Sequence, residues 1–552
     1  MIASPGSGSA LRLPRWVIGL QLAILVAAAV HIYLVDYVAD DSFISLRYAK
    51  HLAGGQGLVY NPGERVEGYT NFLWVVLLAG VNWIWPAVDL PLTARLLGTA
   101  ASLLIVLIVL RFSTDGARAP AAGLLAGACL MAHSGFVAWA GAGLETGQFS
   151  LLVLSAAMIQ ARTLGSGRFD PLVPLLLALA ALTRPEGAIF FSACLAALVV
   201  SEFRWPITRP GLFTVIRIAA RFAGLFALVY VPYFVWRYGY YGDLLPNTAY
   251  AKVAPASLQV GRGARYVWSY VVQYGVLFWI LPVVIYLWRC RDRVAWFFAW
   301  LVFVGLAYVL RVGGDGLAFH RFVVHLAPLM YAVVAAALVD GYRRYVAPRT
   351  GRSLRFALAA VTVVGLLAVT GRATWTSLLL PERARWFEPQ AEMSFPGDGT
   401  LHSYVWFDNY FVDRLTIAAR YLEQHAEPNS LVASTPAGAI GYHMNHRVLD
   451  MLGLTDRHIA HTSELYMGGW RAGHEKGDGA YVLARAPDYI LMGNVAVLPY
   501  ALTETTMARK LVLKSEHELW EIPEFHKRYE LVSVRIADDG PFQFFTFFRR
   551  KP

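Results

Sequence analysis

The sequence is poor in charge, in cysteine and in nucleotide-binding motifs, and each shortage excludes a class of protein. Charged residues make up 15% of the 552 residues and hydrophobic residues 57%, which excludes an ordinary soluble enzyme and a disordered or fibrous chain. Cys129, Cys194 and Cys290 do not have metal-ligand spacing, so a zinc site or a disulfide framework is not expected. The chain contains no P-loop or Rossmann fingerprint, no internal repeat and no low-complexity segment.

Long apolar runs fill the first two thirds of the chain. About 20 apolar residues are needed to cross roughly 30 Å of hydrocarbon. The runs that predict eleven membrane spans are 16–35, 95–112, 119–139, 147–163, 171–183, 187–202, 215–236, 266–288, 294–311, 322–341 and 354–370. Two of these, 171–183 and 187–202, are short and could form a hairpin that does not fully cross. The first run lacks a small-residue cleavage site and is predicted to be an uncleaved span.

The arginines between these runs predict an orientation. The net charge is +11, and six arginine groups flank alternate runs. All six fall on one side only if the apolar stretch 72–88 lies along the outer membrane surface instead of crossing. The positive-inside rule then places the N-terminus in the cytoplasm and the C-terminus outside. Cytoplasmic arginine loops therefore account for the basic charge, and no nucleic-acid partner is predicted.

Two domains follow from the change in composition near residue 370. Residues 1–370 are predicted to form a transmembrane domain with an outer juxtamembrane loop over 36–94. Residues 371–552 carry charges and turn signals throughout, with a helical stretch near 411–425 and strand-like runs at 489–492 and 529–535. We expect an α/β or α+β soluble domain on the outer face.

Two adjacent aspartates follow the first apolar run directly. Asp40 and Asp41 stand at the membrane surface, where a carboxylate can serve as the general base for an incoming hydroxyl. The side chains behind them, among them Phe43 and Leu46, have the spacing of an amphipathic helix lying in the interface. The alternative is that one of the aspartates only caps this helix.

Further polar residues concentrate in the same loop and in the other loops predicted to lie outside. The candidate substrate-binding residues are Glu64, Glu67, Asn71, Glu145, Arg184, Arg237, Asn247, Lys252, Asp315, His320 and Arg321. An acid such as Glu145 between apolar spans is costly unless it is paired or functional. Arg184 could bind a phosphate oxygen or pair with Glu186, and Arg321 could do the same or pair with Asp315. The other residues have simpler alternatives as well, in a solvated loop or an interfacial aromatic belt, and His133 is expected to be structural.

These acids and cations converge on one face, and there the chain resembles the membrane-embedded GT-C glycosyltransferases. The resemblance rests on Asp40-Asp41 after the first span, on the large first outer loop and on the C-terminal soluble domain. Asn61-Pro62-Gly63-Glu64-Arg65-Val66-Glu67 narrows it to the terminal arabinofuranosyltransferases of the mycobacterial cell wall and their bacterial relatives, and the tail segment 450–456 agrees. The chain departs from that pattern at residues 68–72, which leaves the sugar open.

This resemblance implies a multi-pass protein of the bacterial plasma membrane that acts in cell wall biogenesis. The implied reaction is an inverting transfer of a sugar, D-arabinofuranose first, from a polyprenyl-phosphate donor to a glycan or glycolipid acceptor. Asp40, or in second place Asp41, would be the base, Glu145 would orient the acceptor, and Arg184, Lys252 or Arg321 would stabilise the leaving phosphate. Mannose, another hexose or aminoarabinose are the alternative sugars. A transporter or flippase and a non-catalytic envelope assembly protein are the alternative classes. No metal ligand set or cofactor is expected, although a divalent cation stays open.

Overall fold

The structure is a computed structural model and describes residues 14–112, 120–166, 168–202, 209–252, 256–372, 401–463 and 472–552. Its first part is helical. The helices are α1 (Arg15–Val35), α2 (Asp40–Ala53), α3 (Phe72–Ile84), α4 (Leu90–Leu110), α5 (Pro120–Ala132), α6 (Ser134–Gly141), α7 (Thr146–Thr163), α8 (Leu172–Thr183), α9 (Gly187–Glu202), α10 (Arg209–Tyr241), α11 (Asn247–Lys252), α12 (Ala256–Gln273), α13 (Leu277–Cys290), α14 (Arg293–Val312), α15 (Arg321–Val324), α16 (Ala327–Gly341), a π-helical turn (Tyr342–Val346) and α17 (Arg352–Thr370).

Apolar side chains cover the outside of this bundle. On α10, Phe213 and Leu228 are each 70% exposed, and such a surface is stable only against lipid. Among the described residues, five helices are long and apolar enough to cross a membrane, or up to seven if each of two bent pairs counts as one span. The multi-pass architecture is confirmed, while the eleven-span topology and its orientation stay predictions.

Two of the predicted spans are broken in the structure. The run 119–139 divides into α5 and α6 with a bend of 67°. His133 caps α6 there, because its Nδ1 accepts a hydrogen bond from the Phe136 N–H, so its expected structural role agrees with its place in the fold. The prediction of one continuous span over 266–288 is wrong, because α12 and α13 meet at 91°. Gly275 lies at this break with a φ of 60°, which a glycine adopts without strain.

The C-terminal part contains a mixed sheet. Its elements are α18 (Leu401–His425), β1 (Leu431–Ser434), α19 (Ala439–Tyr442), β2 (Arg447–Asp450), α20 (Arg457–His461), α21 (Gly479–Ala484), β3 (Tyr489–Leu491), β4 (Ala496–Leu498), α22 (Glu504–Ala508), α23 (Lys514–Glu521), α24 (Pro523–Arg528), β5 (Tyr529–Arg535) and β6 (Phe544–Arg550). β1 pairs in parallel with β2 and β3, and the antiparallel strand β6 pairs with β3, β4 and β5. The expected helix and strands are present, within a sheet-containing domain.

The two parts pack against each other through α2 and the loop after it. The expectation that α2 lies in the lipid interface is wrong, because Ser42 to Ala49 are all buried. One side of α2 packs on α3 and the other on α19 of the C-terminal domain. The aspartates at the start of α2 therefore stand where the helical bundle and the sheet domain meet.

Candidate active site

Asp40 and Asp41 occupy the first turn of α2, but their side chains have different surroundings. The N-cap residue is Ala39, and no side chain caps the helix. The alternative that one aspartate caps α2 is therefore wrong. Carboxylates in a first turn still interact favourably with the helix dipole, which lets the sequence place both of them here without loss of helix stability.

The carboxylate of Asp40 is hydrogen-bonded to the C-terminal domain. Its two carboxylate oxygens accept hydrogen bonds from the backbone N–H groups of Ala439 (2.7 Å) and Gly438 (3.2 Å). A Cβ at position 438 would overlap both the carboxylate and the backbone of Asp40, so only glycine permits this approach. Burial raises the pKa of Asp40 to about 7, although the two N–H groups favour the anion. Asp40 is thus a link between the domains.

Asp41 faces open space on two sides. It lines a cavity of about 560 Å³ in the bundle and also a narrower cleft of about 120 Å³ below the sheet domain. Within the described part of the chain, no group donates a hydrogen bond to its carboxylate. Asp40 also lines the narrower cleft, so the two aspartates differ in that only Asp41 lines both spaces and has no hydrogen-bond donor among the described residues.

The larger cavity brings together many of the residues singled out in the sequence. These are Asp41, Asn71, Glu145, Arg184, Lys252, Asp315 and Arg321. They come from α2, from the loops before α3 and α7, from the break between α8 and α9, from α11, and from the segment between α14 and α15. Short interhelical connections at one end of the bundle thus converge on one space.

Most charges on this wall compensate one another. The buried Arg184 guanidinium lies 2.7 Å from Glu186 and 3.1 Å from Glu145, and Arg321 lies 2.6 Å from Asp315. Glu145 also accepts a hydrogen bond of 2.7 Å from the Asn71 side-chain amide. Arg184 is therefore held between two acids, and the pairing alternatives for Arg184 and Arg321 describe the contacts found.

Two cations on the same wall form no ion pair among the described residues, although the charge of Lys252 adds to that of Arg321 in lowering the pKa of Asp315. Lys252 ends α11 and makes no ion pair there, and Arg311 donates only to the neutral Gln259 side chain at 3.3 Å. A third cation, Arg262, pairs with Glu475 at 3.2 Å. Lys252 and Arg311 are thus free to compensate an anion that enters the cavity.

Five of the predicted substrate-binding residues do not line this cavity. Glu64 pairs with Arg447 and Arg485, and Asn247 donates to the backbone oxygens of Gly453, Leu454 and Asp456. These two side chains belong to the seam between the domains. Their contacts hold the outer loops against the sheet domain, and neither residue lines the cavity.

Glu67 and Arg237 form a buried ion pair of 2.6 Å, and the Glu67 carbonyl accepts from the Asn247 N–H at 3.0 Å. His320 lies beside the cavity wall, where its Nε2 is 2.7 Å from the Ser269 hydroxyl. These contacts favour a positioning role for all three side chains instead of direct binding.

Sequence reasoning missed Gln259, Arg262 and Arg311 as cavity residues. The pattern that could have indicated them is a pair of polar residues three positions apart, because Gln259 and Arg262 then lie on one side of the amphipathic helix α12. Arg311 ends the apolar helix α14, where a cation also suits the helix dipole. The buried hydroxyl of Thr248 lines the same cavity without a hydrogen-bond partner, and nothing local in the sequence marks it.

The narrower cleft lies at the carboxyl ends of the parallel strands. Thr435 follows β1, Leu452 follows β2 and Asn494 follows β3, and all three line it together with Asp41. Ligands of open α/β sheets bind at this edge, because the loops leaving parallel strands meet there. The Thr435 hydroxyl is buried in the cleft and has no hydrogen-bond partner among the described residues. It is therefore available to bind a polar group of a ligand.

Within the described ranges, no group of three or more His, Cys, Asp or Glu side chains is arranged to hold a metal ion. Asp40 and Asp41 both line the narrower cleft, and of the two it is Asp40 that accepts hydrogen bonds from the sheet domain. Among the described residues, the arrangement therefore offers a carboxylate that accepts no hydrogen bond, two cations that form no ion pair, and two spaces that Asp41 lines.

Comparisons with known proteins agree with this layout. Residues 408–546 match a family described as a domain of unknown function (DUF8728). The chain is 29% identical over 266 residues to the terminal β-(1→2)-arabinofuranosyltransferase of Mycobacterium tuberculosis, covering 45% of this chain and 39% of that relative. It is 28% identical over 323 residues to the enzyme of the same name from Corynebacterium glutamicum, covering 50% of this chain and 45% of that relative. The chain thus spans less than half the length of the curated relatives it matches.

The solved structure of ArnT from Cupriavidus metallidurans, bound to undecaprenyl phosphate, is similar in fold. It matches with a TM-score of 0.51 at 12% identity, over 78% of this chain and 85% of that one. The helical bundle with its C-terminal domain therefore has the GT-C fold. The expected resemblance to GT-C glycosyltransferases, and within them to terminal arabinofuranosyltransferases, is confirmed.

Proposed function

We propose that this chain is a glycosyltransferase that moves a sugar, D-arabinofuranose first, from a polyprenyl-phosphate donor to a glycan or glycolipid acceptor. The observation that carries the proposal is the place of Asp41. Its carboxylate accepts no hydrogen bond from the described residues, and it lies where the cationic cavity and the cleft of the sheet domain meet. A base between two binding spaces is what transfer between two substrates requires.

The larger cavity suits the donor. Lys252 and Arg311 provide two positive charges that form no ion pair in the described structure, and a sugar phosphate needs such compensation in a site shielded from water. Phe322, Tyr308 and Leu245 line the same space and offer apolar surface to the start of a lipid chain. The Thr248 hydroxyl and the Glu145–Asn71 pair are the polar groups available to sugar hydroxyls.

The cleft of the sheet domain suits the acceptor. It combines the aromatic side chains of Tyr37, Phe407 and Phe411 with the unpartnered hydroxyl of Thr435. Sugars bind through this mixture, because one face of a sugar ring is apolar and its rim carries hydroxyls. A glycan entering between the two domains would reach Asp41 with a terminal hydroxyl.

The reaction we propose is a single inverting displacement. Asp41 takes the proton of the acceptor hydroxyl, whose oxygen forms the new bond to the anomeric carbon. The bond between that carbon and the donor phosphate breaks through an oxocarbenium-like state. The polyprenyl phosphate leaves with the electron pair, and Lys252 and Arg311 stabilise its charge.

The proposed location is the bacterial plasma membrane, with the N-terminus cytoplasmic and the sheet domain outside. This orientation places the site where lipid-linked sugars meet envelope glycans. Arabinofuranose is the first candidate because the two curated relatives carry that name. Mannose, another hexose and aminoarabinose are the sugars to be tested beside it.

The test is transfer in proteoliposomes. Purified protein would receive radiolabelled polyprenyl-phosphate-arabinofuranose or polyprenyl-phosphate-mannose together with a panel of glycan acceptors, and NMR of the product would give the anomeric configuration. We expect transfer from the arabinofuranose donor with inversion. The matched variants are Asp41→Asn at the start of α2 and Asp36→Asn at the end of α1, which remove the same charge five residues apart.

Four outcomes would count against the proposal. Transfer from the mannose donor alone would overturn the sugar, and retention of configuration would overturn the single displacement. No transfer from any lipid-linked sugar by folded protein would favour a transporter or an assembly protein. Equal loss of activity in Asp36→Asn would overturn Asp41 as the base.

A further inference from the structure

A second large cavity lies at the end of the bundle opposite the polar one. It measures about 660 Å³ and is enclosed by α13, the end of α16, the π-helical turn, α17 and part of α5. Helix α16 begins beside the polar cavity and ends at this one, and its 15 residues span about 22 Å at 1.5 Å per residue. The two cavities are therefore separate binding spaces.

The interior of this second cavity is apolar. Pro282, Ile285, Leu338, Phe356 and Val363 form its walls. Helix α17 is its outer wall, and most of that helix is exposed apart from Leu366 and Thr370. The cavity is thus a crevice between two lipid-facing helices that is open toward the bilayer, which is a shape suited to acyl chains.

The mouth of the crevice is cationic. Arg344 is paired with Asp340 at 2.8 Å, whereas Arg289 and Arg343 have no acidic partner among the described residues. Arg289 instead donates to the Tyr345 hydroxyl and lies over the Tyr345 ring. Two uncompensated guanidinium groups beside an apolar crevice match a phosphate attached to acyl chains.

The local backbone explains why these groups gather here. Residues Tyr342–Val346 form a π-helical turn between α16 and α17. A π-turn inserts extra backbone into a helix and is common at functional sites. Here the turn brings Arg343, Arg344 and Tyr345 to the rim of the crevice, facing Arg289 at the end of α13.

We propose that this crevice binds one anionic diacyl phospholipid, with its phosphate at Arg289 and Arg343 and its acyl chains between α13 and α17. Basic pockets between transmembrane helices at the arginine-rich membrane face bind anionic headgroups in this way. The sugar donor is a poor occupant, because in the proposed reaction its phosphate binds at Lys252 and Arg311 near the opposite end of α16. The site is therefore a lipid site independent of the proposed transfer reaction.

The test measures lipid that stays bound to the full-length protein. Protein reconstituted in nanodiscs of phosphatidylcholine with phosphatidylglycerol would be released into the gas phase, and bound lipids would be counted by native mass spectrometry. We expect at least one retained phosphatidylglycerol in the wild type and a loss of about fivefold or more in Arg289→Gln/Arg343→Gln. The matched control is Arg217→Gln/Arg221→Gln, which removes the same charge from exposed positions on α10.

A second variant tests the crevice without changing its charge. Ala359→Trp fills the space between α13 and α17 and should also lose the retained lipid. Equal loss in the α10 control would reduce the effect to general surface charge and overturn the site. Retention in both crevice variants would overturn it as well, and displacement by polyprenyl phosphate at equal concentration would overturn the choice of a diacyl lipid.

Discussion

The polar residues of the outer loops divide between two regions, the larger cavity and the seam between the domains, and the two use their charges differently. In the cavity, side chains compensate side chains, as Arg184 does with Glu145 and Glu186. In the seam, several buried side chains instead satisfy backbone groups of the other domain, as Asp40 does with the N–H groups of Gly438 and Ala439. The larger cavity keeps more open space than the seam, about 560 Å³ against about 120 Å³ in the cleft.

Neighbouring residues can belong to different regions. Asp40 and Asp41 are adjacent on α2, yet Asp40 accepts hydrogen bonds from the other domain and lines only the narrower cleft, whereas Asp41 lines both spaces. A helix turns about 100° between successive residues, which is enough to direct the two side chains to different surroundings. The type of a residue therefore does not show whether it belongs to the cavity or to the seam. The groups that its side chain contacts do show it.

The largest effect should come from Asp41→Asn. A general base contributes about 10²–10⁴-fold to a rate, so we expect kcat to fall by that factor while the melting temperature stays within about 1 °C of the wild type. The reason is that the carboxylate has no hydrogen-bond donor to lose among the described residues. Initial rates in proteoliposomes and thermal unfolding in detergent provide the two readings.

The comparison variant is Asp40→Asn, which should show the reverse pattern. Its amide cannot accept from both backbone N–H groups, so its melting temperature should drop more than its kcat. If Asp40→Asn abolishes turnover at unchanged stability while Asp41→Asn keeps most of it, the assignment of base and link is inverted.

The next effect should come from Arg47→Ala in the seam. The buried Arg47 guanidinium donates to the backbone oxygens of Tyr60, Gly441, Met444 and His446. Its removal leaves buried carbonyls without donors, at about 1–3 kcal/mol for each group. We expect a loss of about 3 kcal/mol or more in stability and faster proteolytic cutting between the bundle and the sheet domain.

Lys50→Ala is the matched control for this loss. Lys50 lies nearly one turn further along α2 and donates only to the Asn445 side chain at the surface. Its removal should change the cutting rate little. Equal cutting in both variants would mean that the seam does not depend on buried carbonyl contacts.

Several parts of the fold follow from local sequence patterns. Apolar runs predicted the helices of the bundle, and a strand-like run predicted β5 at the residues where it lies, Tyr529–Arg535. These succeed because a membrane span and a strand depend on the composition of their own segment. The bend between α12 and α13 was missed, since a single glycine with a positive φ redirects a run that is apolar throughout.

The residues of the candidate site and of the seam also differ in how far local sequence patterns predict them. The convergence of Asp41, Glu145, Arg184 and Lys252 could be predicted, because polar residues in short loops at one end of a bundle must be near each other. The structural role of Asn61 could not be predicted. Its side-chain amide donates to the Val448 carbonyl in β2, and its side-chain oxygen accepts from the Val448 N–H. A partner nearly four hundred residues away leaves no local signal.

A smaller effect is expected for Lys252→Ala. If Lys252 compensates the donor phosphate, its loss should lower kcat/KM for the lipid donor by about 10–100-fold, the range of one charge-assisted contact. KM for the acceptor should hardly change, because the acceptor cleft lies on the other side of Asp41. Lys527→Ala, which removes an equal charge from the exposed pair with Glu524, is the control, and equal losses in both would exclude a local role.

The smallest effect concerns the pH dependence of the seam. Burial raises the pKa of Asp40 from 3.8 to about 7, so the folded state holds a proton that the unfolded chain releases. Stability from this group is therefore complete below about pH 4 and falls as the pH rises toward 7. The melting temperature of the wild type should drop by roughly 2–4 °C more than that of Asp40→Asn between pH 5 and 7.5.

The difference in melting temperature between the wild type and Asp40→Asn isolates the contribution of Asp40, because other carboxyls with raised pKa values titrate in both proteins. Burial also raises the pKa of Asp450 to about 6 and that of Glu67 to about 7, and their contributions cancel in the subtraction. Parallel melting curves in the wild type and Asp40→Asn would mean that Asp40 stays ionised in the fold, held by Gly438 and Ala439. The seam would then owe its strength to an anion bound by backbone N–H groups, and it would resemble the cavity in its use of charge.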